Sequence, residues 1–470
     1  MMRFNNPFLE QIGICAEEIN IDCYVIGGWV RDLYLGAYYS NDIDIVCVNR
    51  SNSGLQRPGI ALAKYLAKRF PECSVNIYKN YGTALLRLPD VELEFVGARK
   101  ISYPRGEISD IVEDGSLLDD QLRRDFTINS VAIGLNPENY GKVYDPFNGL
   151  GDIERKLVRV VNSRTTFLDD PLRILRAVRF ATKYGFLLEE DTHKFIQDLS
   201  DSLYTVARER INAELNKIMS LPQPSIGWCI LDNTKILSIV FPELLDLKET
   251  SVVDGQKHKD IFAHSLQVLD NVAKVSNNLW LRWAALLHDI GKPKCKAWID
   301  GVGWTFRDHA IIGSRLIPYL FKKYKFPQNE KMDFVVKMVY LHMRPIHLVE
   351  EGVTDSAIRR ILVDSGDDIE SLMILCDADV TSKNAAKRER IHNNYQLLKS
   401  RIFELIENDR IRNFQPLLNG QEIMRIFNLN PGPKVGELKQ LLKDAILDGV
   451  VPNTVEASIE YLNNILYKTK

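Results

Sequence analysis

Long apolar runs are missing from this 470-residue chain. No stretch approaches the ~20 residues of a membrane span, and the opening Met-Met-Arg-Phe-Asn-Asn-Pro lacks the apolar core of a signal peptide. Cysteine is sparse: seven residues, an odd number, with no C-x-x-C pair. That pattern favours a reducing cytoplasm with idle or buried thiols. Charge of one sign is also lacking. Sixty Lys and Arg against 62 Asp and Glu leave a net −2, which excludes a uniformly basic nucleic-acid coat but not a local basic stripe. Internal repeats, heptads and low-complexity tracts are absent. What remains, 45% hydrophobic and 26% charged residues, is the composition of a soluble globular protein too long for one core.

The most informative stretch is Gly27-Gly28-Trp29-Val30-Arg31-Asp32, followed ten residues on by Asp42-Ile43-Asp44. Cys23–Ile26 reads as a buried strand running into the glycine pair, where a backbone without Cβ atoms can approach phosphate. Residues 30–35 read as a short helix, and 41–48 as a strand. On that strand Ile43, Ile45 and Cys47 share one face, and Asp42, Asp44 and Val46 the other. Residues 84–88 and 91–97 are further strands; in the second, Glu92 and Glu94 share a face. Two carboxylates one residue apart, with a third from a neighbouring strand, are the hard oxygen ligands that Mg²⁺ requires. In-line attack on an α-phosphate needs metal ions at the attacking and leaving oxygens. Glu92 and Glu94 both fit the third position.

Residues 102–120 lack a period and read as a mobile loop. Asp169-Asp170-Pro171 reads as a helix start, after which Arg173, Arg176 and Arg179 recur every third residue. Arg210 and Glu214, four apart, are placed to pair. Seven of the eight histidines fall between 258 and 392. His264, His288-Asp289, His309, His342 and Asp379 lie in apolar helical stretches and are donors suited to a divalent metal. Asn430-Pro431-Gly432-Pro433-Lys434 separates two helical patterns, and Lys434, Lys439 and Lys443 suit phosphate.

Gly27–Asp32 with Asp42 and Asp44, then Arg123-Arg124-Asp125-Phe126-Thr127-Ile128-Asn129, then Asp169–Phe180, resemble bacterial-type (class II) CCA-adding tRNA nucleotidyltransferases of the polymerase-beta superfamily. Bacterial poly(A) polymerases share these motifs. Leu286–Pro293 resembles the signature of HD-superfamily phosphohydrolases. The resemblance implies an α+β chain with a small mixed-sheet head followed by all-α neck, HD and tail domains. The corresponding boundaries are 1–145, 146–245, 246–400 and 401–470.

It also implies roles. Gly27, Gly28 and Arg31 would contact the triphosphate. Asp42, Asp44 and Glu94 would be catalytic, the two aspartates holding Mg²⁺. Arg123, Arg124 and Asp125 would recognise ribose and phosphate. Asp170 and Arg173, with Arg176 and Arg179 on the same helix, would select the incoming base; the chain departs from the commonest Glu-Asp form, with Asp169 in the Glu position. His264, His288, Asp289 and Asp379 match the core HD ligands, and His309 and His342 the extra ligands of two-metal variants, for Mg²⁺, Mn²⁺, Ni²⁺ or Fe²⁺. The implied activity is addition of CMP and AMP from CTP and ATP to tRNA 3′ ends by a cytoplasmic monomer or homodimer, with no membrane partner. Rivals are poly(A) synthesis, C-only or A-only addition, or an RNA-end phosphohydrolase with a non-catalytic head.

Overall fold

The computed structural model describes residues 6–36, 41–50, 56–79, 82–89, 91–100, 113–248, 252–253, 256–257, 260–345, 355–381, 385–413, 416–447 and 450–468. The chain separates into two compact units, Met1–Tyr340 and Leu341–Lys470.

The first unit opens with α1 (Pro7–Glu18), whose first turn is capped by the Asn6 side chain accepting from the amides of Phe8 and Leu9. Then come β1 (Ile21–Ile26), α2 (Gly28–Tyr34), β2 (Asp42–Asn49), α3 (Pro58–Arg69), β3 (Ser74–Tyr78), β4 (Thr83–Arg87) and β5 (Glu92–Gly97). The short pair β6 (Arg99–Lys100) and β7 (Glu113–Asp114), helix α4 (Leu117–Leu122), and strands β8 (Ala132–Gly134) and β9 (Val143–Tyr144) follow. Seven strands form one sheet in the order β3-β4-β5-β2-β1-β8-β9. All its pairs are antiparallel except β2 with β5.

Side-chain alternation on β2 follows the sequence pattern. Ile43, Ile45 and Cys47 enter the main core with Leu9, Ile12, Leu62 and Leu66 of α1 and α3. Val46 enters a smaller cluster with Tyr24, Ile26, Ala98 and Ala132 on the opposite face. Asp42 and Asp44 share Val46's face, so the sheet presents its acids away from the helical layer.

Part of the expected mobile loop is regular structure. Residues 101–112 lie outside those described. Residues 113–122 form β7 and α4, the helix held by a reciprocal capping box between Ser116 and Asp119.

Helices α5 (Gly149–Arg155), α6 (Thr165–Asp169), α7 (Arg173–Tyr184), α8 (Glu190–Leu199), α9 (Arg208–Met219) and α10 (Pro224–Asn233) follow the sheet. Helix α7 packs on α9 and α10. Further on are α11 (Leu237–Val240), α12 (Ile261–Val275), α13 (Leu279–Leu287), α14 (Lys292–Cys295), α15 (His309–Lys323) and α16 (Glu330–Leu341). Neither region is purely helical. Leu157–Val158 pairs in parallel with Leu187–Leu188, and Ala297–Ile299 pairs with Gly303–Thr305 in a hairpin.

In the second unit, helices Asp355–Ser365, Ile369–Ala378 and Ala385–Asn413 pack together. Helices Gly420–Phe427, Pro433–Leu447 and Val455–Lys468 enclose a core of their own, including Leu418, Ile423, Leu442 and Leu462. All seven cysteines are free.

Candidate active site and metal centre

Strand pairing brings the acids together. Asp44 lies opposite Ile26 on β1 and opposite Glu94 on β5, while Asp42 lies opposite Glu92. Chain direction reverses just past Ile26, at Gly27, which has φ 86° and ψ −137° and begins α2. A Cβ there would stand 2.9 Å from Asp44 Oδ2 and 3.0 Å from Arg124 Nη1. Only glycine supplies both that backbone conformation and that close approach. At Gly28 the nearest atom to an added Cβ is Arg31 Nη2 at 3.4 Å, so the second glycine is far less constrained.

Burial, then the neighbouring Asp42 and Asp120 carboxylates, push the Asp44 carboxyl up, with Arg124 opposing. Glu94 is also raised, by burial and by Asp44 and Asp42. Crowded carboxylates that raise one another are a site a divalent cation would stabilise, and an all-oxygen donor set suits a hard ion. Glu92, by contrast, pairs at 2.6 Å with Arg87 at an exposed position.

The Arg123-Arg124-Asp125 run divides its tasks. Both arginines pair with Asp120, a fully buried carboxylate on α4. Asp125 is 6% exposed. Its Oδ1 accepts from Phe126 N at 2.9 Å and Asn129 Nδ2 at 3.0 Å, and its Oδ2 from Arg176 Nε at 2.8 Å. Burial would raise this carboxyl, but Arg176 and the hydrogen bonds prevail and hold it below its ordinary value. Asp125 thus fastens α7 to the head.

Arg31, expected at the triphosphate, is 5% exposed. It donates to Asp32 Oδ1 at 2.8 Å and Asn129 Oδ1 at 2.6 Å, and lies over the rings of Tyr184 and Phe180 at 4.6 and 5.2 Å.

Helix α7 spans Arg173–Tyr184, two residues later than Pro171, and Asp170 is extended (φ −147°, ψ 102°) at the end of α6. The Asp170 carboxylate accepts from Leu172 N at 3.2 Å and from Arg210 Nη2 at 3.0 Å. Arg210 therefore does not pair with Glu214 as the i,i+4 spacing suggested. Glu214 instead accepts from Arg179 at 2.7 Å and Lys217 at 2.8 Å. Arg173 donates to the carbonyls of Thr166 at 3.2 Å and Arg123 at 2.8 Å. The candidate base-reading pair is thus held by contacts from α9 and the head.

A second cluster lies 200 residues further along the first unit. His264 is on α12, His288 and Asp289 follow α13, and His309 opens α15. Asp289 is the hub: its Oδ2 is 3.2 Å from His288 Nε2 and 3.7 Å from His264 Nε2, and its Oδ1 is 3.4 Å from His309 Nε2. His288 Nδ1 is 2.8 Å from the Ala285 carbonyl, and His309 Nδ1 2.8 Å from that of Phe306. A carbonyl can only accept, so both rings carry a proton on Nδ1 and turn Nε2, the nitrogen available to a metal, toward Asp289. Burial lowers His309, favouring the neutral form.

Lone pairs converging on a carboxylate are a donor set for a divalent transition metal. Gly291 lets the turn after Asp289 close on α15, since a Cβ there would be 2.2 Å from the His309 carbonyl oxygen. His342 and Asp379 belong to the second unit. There His342 is buried, with its carbonyl accepting from Cys376 Sγ at 3.1 Å, and Asp379 ends helix Ile369–Ala378.

Four participants are given no role by the motifs, although Asn129 and Lys292 lie within them. Asp120 holds both Arg123 and Arg124, and its i,i+3 and i,i+4 spacing to them was the available signal. Asn129 joins Arg31 to Asp125. Tyr184 donates to Asp32 Oδ1 at 3.1 Å across 152 residues, and no local pattern announces it. Lys292 Nζ sits 2.6 Å from Asp289 Oδ2.

The mixed sheet, the glycine turn and the grouped carboxylates define a nucleotidyltransferase of the polymerase-beta type, joined to a histidine–aspartate cluster. Three family models match in order: the poly A polymerase head domain over residues 23–159, a probable RNA and SrmB-binding site of polymerase A over 185–247, and the HD domain over 261–384. The A-adding tRNA nucleotidyltransferase of Deinococcus radiodurans is 30% identical over 351 residues, 73% of this chain and 78% of that protein. The chain belongs to the class II CCA-adding family of tRNA nucleotidyltransferases. A multifunctional CCA protein of Shewanella frigidimarina is 28% identical over 438 residues, 88% of this chain and 97% of its own. A solved tRNA nucleotidyltransferase, complexed with a primer tRNA and an incoming ATP analogue, superposes with a TM-score of 0.58 at 25% identity, covering 84% of this chain and 99% of that one. Nucleotidyltransferase and HD domains generally use divalent metals. No helix among the described residues is long and apolar enough to cross a membrane.

Proposed function

We propose that this enzyme adds CMP and AMP, from CTP and ATP, to tRNA 3′ ends without a nucleic-acid template and with release of diphosphate. The observation that carries the reading is the register of β1, β2 and β5, which sets Asp44 between the Gly27 turn and Glu94. Asp42, Asp44 and Glu94 would hold Mg²⁺. That ion, when bound, supplies positive charge at the reacting phosphate. Glu94 is preferred over Glu92 because burial, then Asp44 and Asp42, raise its carboxyl, whereas Glu92 is paired with Arg87.

The Gly27 and Gly28 backbone, Arg123 and Arg124 would take the triphosphate. Asp170 accepts from an exocyclic amino group and Arg173 donates to a ring acceptor, a combination that C and A share. Arg31, Asp125 and Arg176 serve the nucleotide by fastening α7 against the head, and Arg179 by fastening it to Glu214 of α9. Lys434, Lys439 and Lys443 would meet tRNA phosphates, and residues 1–145, 146–245, 246–400 and 401–470 would be head, neck, HD and tail domains. His342 and Asp379 would complete the set of His264, His288, Asp289 and His309 around Mg²⁺, Mn²⁺, Ni²⁺ or Fe²⁺ as a phosphohydrolase centre. The protein would work in the cytoplasm as a monomer or homodimer.

A-only addition is a second reading, favoured by the A-adding name of the Deinococcus relative. The test supplies purified protein with tRNAs ending before CCA, after C and after CC, each with one labelled nucleotide. Ordered incorporation of C, C and A supports the proposal, and A on the CC-ended tRNA alone selects the second reading. Untemplated A on any RNA, or no incorporation, overturns both. Asp42→Ala is expected to abolish transfer alone, and His288→Ala with Asp289→Ala hydrolysis alone.

A further inference from the structure

The hairpin between the two halves of the histidine–aspartate cluster is unusual in what it leaves uncovered. Ala297–Ile299 pairs with Gly303–Thr305, and Trp298 stands directly opposite Trp304. Residues directly opposite share a face, and the two rings meet edge to face, with centroids 5.4 Å apart. Both tryptophans are only half-buried, and Val302 at the hairpin tip is 70% exposed. A cross-strand aromatic pair stabilises a hairpin, but that role does not require a cationic surround.

Here cations gather on the rings. Lys296 Nζ lies 5.0 Å from the Trp304 centroid, and Lys292 Nζ 5.6 Å from that of Phe306. Lys294 and Arg307 are exposed nearby. Residues 291 to 309 hold these four cations and the acids Asp300 and Asp308, and Lys292 pairs with Asp289 just before them, in a chain of net charge −2. Asp300 is already engaged, accepting from Trp298 Nε1 at 3.1 Å.

The aromatic face is also joined to the metal centre. The Lys292 ammonium that meets Phe306 is 2.6 Å from Asp289 Oδ2. The Phe306 carbonyl fixes the His309 ring. Phe306 lies just past the end of the strand that carries Trp304. Aromatic planes interleaved with cations, continuous with a site for phosphate chemistry, suit a nucleobase attached to a phosphate.

We infer that Trp298 and Trp304 form a stacking platform for the terminal base of an RNA strand whose phosphorylated end enters the histidine–aspartate centre. The hairpin would therefore make this centre selective for nucleotides over other phosphoesters. This inference rests on the phosphohydrolase reading above, so its test has one arm that depends on hydrolysis and one that does not.

In the first arm, the full-length protein loaded with Mn²⁺ or Ni²⁺ is given adenosine 2′,3′-cyclic phosphate and, separately, glycerol 1,2-cyclic phosphate, which lacks a base. Trp304→Leu is expected to lower the ratio of kcat/KM for nucleotide over glycerol ester by roughly tenfold, through KM for the nucleotide, while Trp304→Phe retains the preference. Leucine also removes the cross-strand aromatic pair, so kcat/KM for the glycerol ester, expected to be unchanged in Trp304→Leu, reports that the hairpin and the centre beside it are intact. In the second arm, tryptophan fluorescence of the metal-free protein is titrated with adenosine 2′-monophosphate and with ribose 5-phosphate. Base-dependent quenching is expected in the native protein and in Trp304→Phe, and is lost in Trp304→Leu.

If the native protein hydrolyses neither ester, the phosphohydrolase reading fails, and the binding arm alone decides the platform. Equal selectivity in Trp304→Leu and native protein overturns the inference, as does quenching indifferent to the base or to the substitution.

Discussion

Replacing Gly27 with alanine tests the geometry of the transferase site, because Gly28 beside it is a built-in control. At Gly27 the backbone is at φ 86° and ψ −137°, a region that costs an L-residue on the order of 1–3 kcal/mol. The new methyl would also stand 2.9 Å from Asp44 Oδ2 and 3.0 Å from Arg124 Nη1. Neither atom is at liberty to swing far, since Asp44 is on a central strand and Arg124 is held by Asp120. Both terms add, giving a destabilisation of about 2–4 kcal/mol. Displacing Asp44 by a sizeable fraction of an ångström is expected to slow transfer about 100-fold.

At Gly28, in the first turn of α2, φ is not positive and the nearest atom, Arg31 Nη2 at 3.4 Å, would make only ordinary van der Waals contact. Alanine there is expected to stay within about 1 kcal/mol of the native protein, because helix propensity favours it. Hydrogen exchange of β1 and β2 amides, with denaturant titration, measures the stability of this sheet, and single-turnover incorporation measures transfer. Equal destabilisation by the two substitutions, or a Gly27→Ala protein of native stability and rate, would refute the reasoning.

Two further predictions concern buried charge. The Glu94 carboxyl is raised in the folded state, so its ionisation opposes folding as pH climbs above its unfolded value. Glu94→Gln is therefore expected to raise the melting temperature of the metal-free protein at pH 7, with the gain vanishing below about pH 4 as native Glu94 protonates, and to weaken metal-dependent transfer; a lower melting temperature at pH 7 would contradict this. Asp125 is the opposite case. Its folded pKa is depressed, so its contribution is present above the unfolded value near 3.8 and disappears as pH falls through the lower folded value. Arg176→Ala is expected to cost about 1–3 kcal/mol at pH 7, less than a fully buried pair because the guanidinium is about a third exposed. Denaturation curves at pH 7 and pH 3 check this, and a cost that does not shrink at pH 3 would exclude the Asp125 pair as its source.

Much of the site was legible from residues alone. Strand periodicity put Asp42 and Asp44 on one face, and the glycine pair placed a sharp turn before α2, because both are consequences of local backbone geometry. The ligand-type residues of the histidine cluster stood out for the same reason that donors in apolar helices are costly without a purpose.

Other features depend on which distant segments meet. Glu92 and Glu94 are equivalent by alternation; the register of β2 against β5 and the reach of Arg87 separate them. Arg31, Arg176 and Arg210 each had a plausible local or ligand role, yet each is paired across at least 40 residues, with Asn129, Asp125 and Asp170. By itself, the sequence determined the chemistry on offer: hard carboxylates at one place, imidazoles at another. Only the tertiary structure decided which cation meets which anion, because that depends on long-range packing and on the desolvation of each group, and neither quantity is a property of local spacing.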